Sequence, residues 1–428
     1  MKKLFALMIM LFFTSPIDVI STEKEVSLSS SDKFQLSQTV ATTSTYFNTI
    51  PTNPNVYYDE TTFSDAQLTL PKGTLSPNQE FQITNLTLND NQIPIFQLSN
   101  GLYIEASRQK IYDDSEILEQ AISSDFWLNK SFTVYSKPYV KGVSSVKSDL
   151  KPFNKVHASK VAQTQQGLYY FVDNKGWISE KELSKFDNRM IAVQEMLSQK
   201  YNKSNFSIYV KQIDSQASAG INADKVMYGA SIAKLATLYA VQDQVNSGAV
   251  KLDKTVKYVN EVNHFEGDYE PSGSGTLDKK ADDKDYSIET LLKDVSKHSD
   301  NVATNILGYY VANKYDQQFY SKINAISGIN WNMEQRQLSS RAAANVMESI
   351  YYQNGQIIGY LSDTDFDDKR ISKNISVPVA HKIGDAYDYR HDVAIVYANS
   401  PFILSIFTEN ASYDDITEIA DDVYSILK

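Results

Sequence analysis

The chain has 428 residues, too many for one ordinary hydrophobic core, which indicates two or three domains. Hydrophobic residues make up 42% of it, as in globular proteins, and a net charge of −11 with no basic block excludes a nucleic-acid-binding protein. The sequence has no cysteine, which excludes disulfides, thiol nucleophiles, a lipoprotein anchor and cysteine-based metal sites, and its five scattered histidines form no pair at helical spacing. We therefore expect neither a metal nor any other cofactor.

The N-terminus begins with Lys2 and Lys3, followed by an apolar stretch over residues 4–13 that is too short to span a bilayer comfortably. This pattern predicts a signal peptide over residues 1–21, with retention as an uncleaved anchor as the alternative. Residues 22–46 are rich in Ser, Thr and Lys and are predicted to form a disordered tether. We expect a secreted, extracytoplasmic protein at the cell wall or membrane surface, typical of a Gram-positive cell.

Between residues 47 and 186 the pattern changes to short β-prone runs separated by turn residues. The runs cover residues 55–58, 80–86, 94–97, 133–135 and 167–172. A weak internal repeat with a period of about 75 residues aligns Val56-Tyr57 with Val134-Tyr135. We predict two small β-modules: module 1 over residues 47–112 and module 2 over residues 125–186.

Module 2 ends in a run from Gly167 to Ile178 that resembles the GW or bacterial SH3-like modules, which attach exported proteins to cell-wall polymers. The resemblance implies that Trp177, together with Tyr135, contacts a wall polymer. Module 1 has Leu102-Tyr103 in place of the tryptophan, so the resemblance is weaker there. The alternative is that Trp177 is a core aromatic of a small barrel and that the modules are spacers.

From residue 187 to residue 428, helical and strand patterns alternate. Residues 206–210 alternate between apolar and polar side chains, as in a half-buried strand. Residues 393–397 and 402–407 indicate adjacent strands, and a final amphipathic helix follows, capped by Ser412. This order predicts an α/β fold with an antiparallel sheet, flanking terminal helices and an inserted helical subdomain.

Ser231 and Lys234 lie three residues apart at the start of an apolar helix. This spacing stacks both side chains on one helix face, within hydrogen-bonding reach. Burial among apolar neighbours lowers the pKa of a lysine, so Lys234 can accept the proton of Ser231. The pair alone is also typical of an ordinary helix start with a lysine that reaches solvent.

Two further motifs follow in order: Ser299-Asp300-Asn301 opens a helix, and Lys382-Ile383-Gly384 lies on a predicted strand. With the Ser231/Lys234 pair they are the three elements of class A β-lactamases and penicillin-binding proteins. Residues 187–428 therefore resemble this family of penicillin-recognising serine hydrolases. The resemblance implies a β-lactamase/transpeptidase-like fold.

The resemblance also implies a role for each motif residue. Ser231 would be the nucleophile and Lys234 its base. Ser299 would relay a proton to the leaving nitrogen, and Asn301 would hold the substrate amide or position Lys234. Lys382 would add a positive field over the site. The backbone N–H groups of Ser231 and Asp385 form the oxyanion hole. Gly384 is expected to be required because a side chain there would obstruct a ligand lying along the strand.

Two departures from the family bear on the substrate. Where the family carries a water-activating glutamate, the only acid is Glu334, which lacks the surrounding motif and is interpreted as a solvated loop charge. Without that base, an acyl-enzyme formed from a β-lactam should persist. Ile383 replaces a hydroxyl residue, so recognition of a substrate carboxylate falls to Arg390 or His391, or the substrate lacks that carboxylate.

Two weaker signals are interpreted as turns. Gly273 and Gly275 lack the other residues of a phosphate loop and predict a flexible turn. The acidic run Asp363, Asp365 and Asp367 begins like a calcium loop, but Asp368 stands where that loop needs glycine, so we predict a solvated turn.

The sequence thus predicts an exported, cell-wall-associated serine hydrolase or acyltransferase that forms an acyl-enzyme on Ser231 with a peptidoglycan-related or β-lactam substrate. We expect a monomer that binds a wall polymer and no nucleic acid. One alternative is a working β-lactamase, which would turn over a chromogenic cephalosporin rapidly. The other is a non-catalytic wall-binding scaffold, against which the joint presence of the five motif residues argues.

Overall fold

The structure is a computed structural model that describes residues 45–428, so the predicted signal peptide and nearly all of the predicted tether lie outside the described residues. The chain divides into two compact units. Of the described residues, unit 1 contains 45–123 together with Thr133–Lys147 and Ala158–Glu180, and unit 2 contains Ser124–Phe132, Ser148–His157 and Lys181–Lys428. Within residues 45–428, no helix has both the length and the apolarity needed to cross a membrane.

Unit 1 is built from strands. They are β1 (Pro54–Val56), β2 (Glu60–Phe63), β3 (Pro71–Leu75), β4 (Ile83–Leu88), β5 (Pro94–Leu98), β6 (Tyr103–Glu105), β7 (Ile111–Asp113), β10 (Gly167–Val172) and β11 (Gly176–Ser179), with parts of β8 (Glu116–Leu128) and β9 (Lys155–Thr164). An antiparallel five-stranded sheet has the order β3-β2-β6-β5-β4, and β1 pairs with β7. Its core includes the buried residues Val56, Phe96, Ile104 and Ile111.

The two predicted modules meet at a buried carboxylate within unit 1. Asp114 is 1% exposed, and its Oδ2 accepts hydrogen bonds from Asn55 Nδ2 at 3.0 Å, from the backbone N–H of Lys141 at 2.9 Å and from Gln166 Nε2 at 3.1 Å. These donors compensate for the loss of water around the carboxylate. Module 1 therefore shares one compact unit with most of module 2.

The predicted division at residue 187 differs from the observed one. Residues 125–132, 148–157 and 181–186 of module 2 belong to unit 2. One reason is that Asn188 Nδ2, at the start of the first helix, donates a hydrogen bond of 3.0 Å to the backbone carbonyl of Leu128. The end of β8 also pairs with β12 (Leu183–Ser184).

Trp177 is a core residue, as in the alternative interpretation, and its ring is not exposed for contact with a wall polymer. Its side chain is 5% exposed and its ring centroid lies 5.4 Å from that of Phe171. The aromatic ring is buried because β10 and β11 pair with Phe171 opposite Trp177. Tyr135 is half-buried, with its ring 4.9 Å from that of Tyr139, and it forms isolated bridges rather than a strand.

Unit 2 contains a sheet and eight described helices. Its remaining strands are β13 (Phe206–Gln212), β14 (Ser218–Ile221), β15 (Met227–Tyr228), β16 (Thr255–Lys257), β17 (Asp285–Ser287), β18 (Gln337–Leu338), β19 (Val379–Ala386), β20 (Tyr389–Val396) and β21 (Phe402–Glu409). Its helices are α1 (Arg189–Lys200), α2 (Lys234–Asn246), α3 (Ile288–His298), α4 (Asn301–Tyr310), α5 (Gln317–Ser327), α6 (Ser340–Gln353), α7 (Gln356–Leu361) and α8 (Tyr413–Leu427).

The sheet separates two hydrophobic cores. Its order is β14-β13-β21-β20-β19, and all its pairings are antiparallel. One face packs on the terminal helices α1 and α8 through residues such as Val193, Leu404 and Ile419, and the other face packs on the helical region through residues such as Leu235 and Val393. The predicted antiparallel sheet, terminal helices and inserted helical region are confirmed.

The predicted start of the last helix is also confirmed. The Ser412 hydroxyl accepts the backbone N–H of Asp415 at 3.1 Å, and the Asp415 carboxylate accepts the backbone N–H of Ser412 at 2.7 Å. This reciprocal pair satisfies two helix donors that would otherwise lack partners. It fixes where α8 begins, beside the end of the sheet.

Candidate active site

Ser231 lies on a short 3-10 turn, Ala230–Ala233, which runs directly into α2 at Lys234. This turn replaces the predicted α-helical start. Ala230 has a φ of 48°, in the left-handed region that a residue with a Cβ rarely adopts. Such local strain persists only where surrounding contacts determine the backbone, and it often marks functional sites. The side chain of Ser231 is 9% exposed.

Lys234 is fully buried and its amine is held by two short hydrogen bonds. Nζ donates to Asn301 Oδ1 and to the backbone carbonyl of Ser299, each at 2.6 Å. Burial, aided by the nearby charge of Lys382, lowers the pKa of Lys234 well below its usual value. Among the described residues, the amine has no hydrogen bond to Ser231; the direct contact predicted from helical spacing is replaced by these two stronger acceptors.

Asn301 positions Lys234 rather than presenting a free amide. Its Oδ1 accepts from Lys234, and its Nδ2 donates to the backbone carbonyl of Glu270 at 2.8 Å. Both ends of the amide are therefore occupied. Of the two roles left open for Asn301, the geometry favours positioning of the base.

Ser299 lies between the two lysines. It ends α3 in the left-handed conformation, with a φ of 54°, and its Oγ accepts a hydrogen bond from Lys382 Nζ at 2.8 Å. Lys234 Nζ lies 3.4 Å from the same oxygen. The structure thus brings Lys234, Ser299, Asn301 and Lys382 together in one buried cluster.

The loop at Gly273 and Gly275, which the sequence predicts to be a flexible turn, is held by hydrogen bonds to Asp300. The Asp300 carboxylate caps α4 by accepting the backbone N–H of Ala303 at 2.8 Å, and it accepts those of Thr276 at 2.6 Å and Leu277 at 2.9 Å. A Cβ at Gly275 would overlap this carboxylate. The glycine is therefore required by close packing, and the turn is anchored rather than flexible.

Lys382 completes the cluster from the edge strand β19. Its side chain is 1% exposed, and its Nζ donates to Ser299 Oγ and to the backbone carbonyl of Ile383. Burial lowers the pKa of Lys382 to about 7, although Asp392 and Asp385 oppose the shift. A lysine with such a pKa can both donate and accept a proton near neutral pH.

Gly384 is required by close packing, a reason that adds to the predicted obstruction of a ligand, which stays a prediction. A Cβ at this position would lie 2.7 Å from the backbone oxygen of Gly229 and 2.9 Å from Ile232 Cγ1. The strand therefore packs directly on the turn that carries Ser231. This close approach brings the backbone of Asp385 toward that of Ser231, the two groups predicted to form the oxyanion hole.

The residues predicted to recognise a carboxylate lie elsewhere. The guanidinium of Arg390 lies over the ring of Tyr413, 5.7 Å from its centroid, at the start of α8. The pairing of Arg390 with Asp385 places its side chain on the sheet face opposite the one that carries Lys382 and Gly384. The structure therefore does not bring Arg390 into the cluster, and Ile383 is buried with no polar group to offer.

His391 is a structural residue. It is fully buried, its Nδ1 accepts the backbone N–H of Thr408 at 3.1 Å, and its Nε2 donates to the backbone carbonyl of Tyr228 at 2.9 Å. Burial lowers the pKa of His391 to about 4. A neutral imidazole with both nitrogens occupied cannot bind a substrate carboxylate.

Two residues at the site carry no signal in the sequence. Arg336 stacks on Tyr269, with its guanidinium carbon 3.7 Å from the ring centroid, and its Nη2 donates to the backbone carbonyl of Asp268 at 2.6 Å. Lys234 Nζ lies 4.6 Å from the same ring. Glu334, by contrast, is exposed. The segment in which the family carries its glutamate thus places a cation, Arg336, at the site. This contact becomes visible only in the folded loop.

Asp385 is held by an arginine that the sequence pattern does not single out either. Arg370 is 1% exposed and forms an ion pair with Asp385, whose Oδ2 also accepts a hydrogen bond of 3.3 Å from Tyr413. These contacts hold the end of β19 next to the cluster. No group of acidic and histidine side chains in residues 45–428 has an arrangement suited to a metal ion.

Comparison with known proteins gives two family matches. Residues 188–427 match a family described as the Beta-lactamase enzyme family, and residues 46–111 match a domain of unknown function, DUF5776. No curated protein matches the chain.

Solved structures with similarity to the chain include one titled PBP-A, with 18% identity and a TM-score of 0.46 over 56% of this chain and 94% of that one. Another is a PBP-A variant described as an acyl-enzyme complex with penicillin G, with 20% identity and a TM-score of 0.46 over 56% and 95%. A third is a β-lactamase from Sphaerobacter thermophilus, with 16% identity and a TM-score of 0.45 over 56% and 95%. Similarity this distant says nothing about the substrate of the present chain.

Proposed function

Because this chain belongs to the Beta-lactamase enzyme family over residues 188–427, we propose that it is an exported, cell-wall-associated serine hydrolase or acyltransferase that acts through an acyl-enzyme on Ser231. Family membership carries the β-lactamase/transpeptidase-like fold and the serine hydrolase class. The proposal adds the nucleophile, the location and the substrate class, which is a peptidoglycan-related peptide or a β-lactam.

The hydrogen-bonding state of Lys234 carries the proposal. A neutral amine has two N–H donors and one lone pair, and the two bonds of 2.6 Å, to Asn301 Oδ1 and to the Ser299 carbonyl, can use both donors. The longer contact of 3.4 Å, to Ser299 Oγ, then falls to the Ser299 hydroxyl as donor, and the lone pair is the acceptor we propose for the proton of Ser231. Since burial lowers the pKa of Lys234, this neutral form is favoured.

The proposed acylation step uses the roles that the family resemblance implies. Ser231 Oγ attacks the substrate carbonyl while its proton passes to Lys234, and the oxyanion that forms is stabilised by the backbone N–H groups of Ser231 and Asp385. Collapse of the intermediate breaks the bond from carbon to the leaving nitrogen. Ser299 gives that nitrogen a proton and regains one from Lys382, whose Nζ lies 2.8 Å from Ser299 Oγ.

Deacylation is expected to be slow. An efficient β-lactamase needs a carboxylate that activates the hydrolytic water, and the only acid in the expected interval, Glu334, is exposed. Arg336 lies at the site instead, stacked on Tyr269, and a guanidinium cannot act as a base. An acyl-enzyme formed from a β-lactam should therefore accumulate.

The proposed location rests on the N-terminal region. The charged and apolar pattern of residues 1–21 supports export, and the resemblance of module 2 to GW or SH3-like modules supports attachment to a wall polymer. Because Trp177 is buried, the half-buried Tyr135 and its neighbour Tyr139 are the aromatic side chains we propose for that contact.

The test is the intact mass of the full chain after incubation with a panel of β-lactams and D-Ala-D-Ala peptides. We expect a stable covalent adduct with at least one compound, and none with Ser231→Ala. Rapid turnover of a chromogenic cephalosporin would instead identify a working β-lactamase. If Ser231→Ala leaves fluorophosphonate labelling unchanged and no compound forms an adduct, the enzymatic proposal fails and the scaffold alternative holds.

A further inference from the structure

Each of two cluster residues is directly preceded by a histidine. His298 precedes Ser299 at the end of α3, and His381 precedes Lys382 on β19. Ser299 and Lys382 are the pair joined by the hydrogen bond of 2.8 Å. Because consecutive Cα atoms are only about 3.8 Å apart, whatever fixes the two histidines also limits the movement of this pair.

One segment binds both histidines. We call residues 363–367 the acidic loop. His298 Nδ1 pairs with Asp365 Oδ2 at 2.7 Å, and His381 Nε2 pairs with Asp367 Oδ1 at 3.0 Å. Two carboxylates that are two residues apart thus hold elements that are 83 residues apart in the chain.

The acidic loop is itself fixed. Asp363 forms an ion pair with Lys297, and the backbone N–H of Asp365 donates to the Lys297 carbonyl at 3.2 Å. Thr364 Oγ1 donates to Asp367 Oδ1 at 2.6 Å. The aspartates lie in a turn and their side chains are 79%, 59% and 43% exposed for Asp363, Asp365 and Asp367, which agrees with the predicted solvated turn. The sequence did not show that they also pair with basic side chains of α3 and β19.

His381 is also bound from the sheet. It is 1% exposed, and its Nδ1 pairs with Asp392 Oδ1 on β20 at 2.9 Å. Burial by itself would lower the pKa of His381, but Asp392 and Asp367 raise it to about 9. The imidazolium is therefore charged at neutral pH, and both of its N–H groups donate to carboxylates.

We propose that the acidic loop sets the distance between Ser299 and Lys382 by holding His298 and His381, which makes the two histidines positioning residues for the proton relay. This inference rests on the proposed function. Neither histidine touches the reacting atoms. Their effect should appear in the acylation step rather than in the binding of substrate.

The test uses the full chain with the variants Asp365→Asn and Asp367→Asn. Each substitution removes one carboxylate charge and keeps the side-chain volume. Asp224→Asn is the matched control, since Asp224 forms an exposed ion pair with Arg341 at 2.7 Å and does not contact the cluster. Quenched reactions with benzylpenicillin, read by intact mass, give the acylation rate at saturation and the dissociation constant of the non-covalent complex separately.

We expect the saturating acylation rate to fall roughly tenfold to a hundredfold in Asp365→Asn and Asp367→Asn, because small displacements of catalytic groups have effects of this size. The dissociation constant should stay near the wild-type value, Asp224→Asn should match the wild type, and Asp367→Glu should recover part of the rate. Asp365 is 59% exposed as a side chain, so Asp365→Asn decides the matter if Asp367→Asn fails to fold.

Acylation rates in both Asn variants equal to that of Asp224→Asn would overturn the inference while leaving the proposed function intact. A change in the dissociation constant alone would overturn it equally, since that result assigns the loop to substrate binding. If wild-type protein forms no adduct while Ser231 remains unlabelled by fluorophosphonate, the proposed function itself has failed, and the inference fails with it.

Discussion

Gly384→Ala is the substitution for which the structure gives the clearest magnitude. The added Cβ would lie 2.7 Å from the Gly229 oxygen, whereas ordinary contacts begin at 3.4 Å, so the strand or the turn that carries Ser231 must move by about 0.7 Å. Overpacking of this kind costs about 1–3 kcal/mol. For a unit of this size, the melting temperature should fall by roughly 2–12 °C.

The catalytic effect should exceed the effect on stability. A displacement of this size between Ser231 and the end of β19 is expected to slow acylation by roughly tenfold to a hundredfold. Differential scanning calorimetry and adduct formation with benzylpenicillin measure the two effects. Gly359→Ala is the matched control, because its Cβ meets nothing within 4 Å and its helix should become slightly more stable.

If Gly384→Ala behaves like Gly359→Ala in both measurements, the close contact between β19 and the Ser231 turn does not exist as described. A drop in melting temperature with an unchanged acylation rate would show that the contact supports the fold but does not position the nucleophile.

Three further outcomes follow from burial and charge. Trp177→Ala should lower the free energy of unfolding by roughly 3–5 kcal/mol in urea denaturation, whereas the same change at Tyr58, which is 75% exposed, should cost less than about 0.5 kcal/mol; equal effects would place Trp177 at the surface. Burial lowers the pKa of His391 to about 4 in the folded state, so between pH 4 and a pH of about 6.5 the unfolded protein binds more protons, and the melting temperature should fall as the pH falls through this range. His391→Gln cannot titrate and should make this decline in melting temperature less steep. An unchanged slope would contradict the assignment. Arg336 helps to lower the pKa of Lys234, so Arg336→Gln should move the rising limb of the acylation rate to higher pH; a limb that stays in place or moves down would contradict Lys234 as the base.

The order of motifs along the chain was sufficient to predict the fold of residues 187–428. Three short patterns, Ser231 with Lys234, Ser299 to Asn301, and Lys382 to Gly384, each depend on spacings of a few residues that the sequence displays directly. The Ser412 cap is of the same kind, because a helix start is determined by side chains within one turn of it. Motifs and caps of this kind can be recognised in a single sequence because they depend only on neighbouring residues.

Contacts between distant elements could not be predicted in this way. Trp177 is a core residue because its strand pairs with the strand that carries Phe171. Arg336 contacts Tyr269, which lies 67 positions earlier in the chain. Aspartates of the acidic loop pair with His298 and His381. Each depends on packing geometry, which is set by the whole fold rather than by neighbouring residues.

The sequence by itself thus determined the three motifs, their order and the antiparallel sheet with its helices, since motif spacing, periodicity and capping are local properties. Only the tertiary structure decided which acceptors hold the Lys234 amine, why position 384 must be glycine, and which of two faces each side chain of β19 and β20 occupies. The physical reason is that burial and hydrogen-bond partnership arise when elements pack, and a pattern along one chain segment contains no measure of what will cover it.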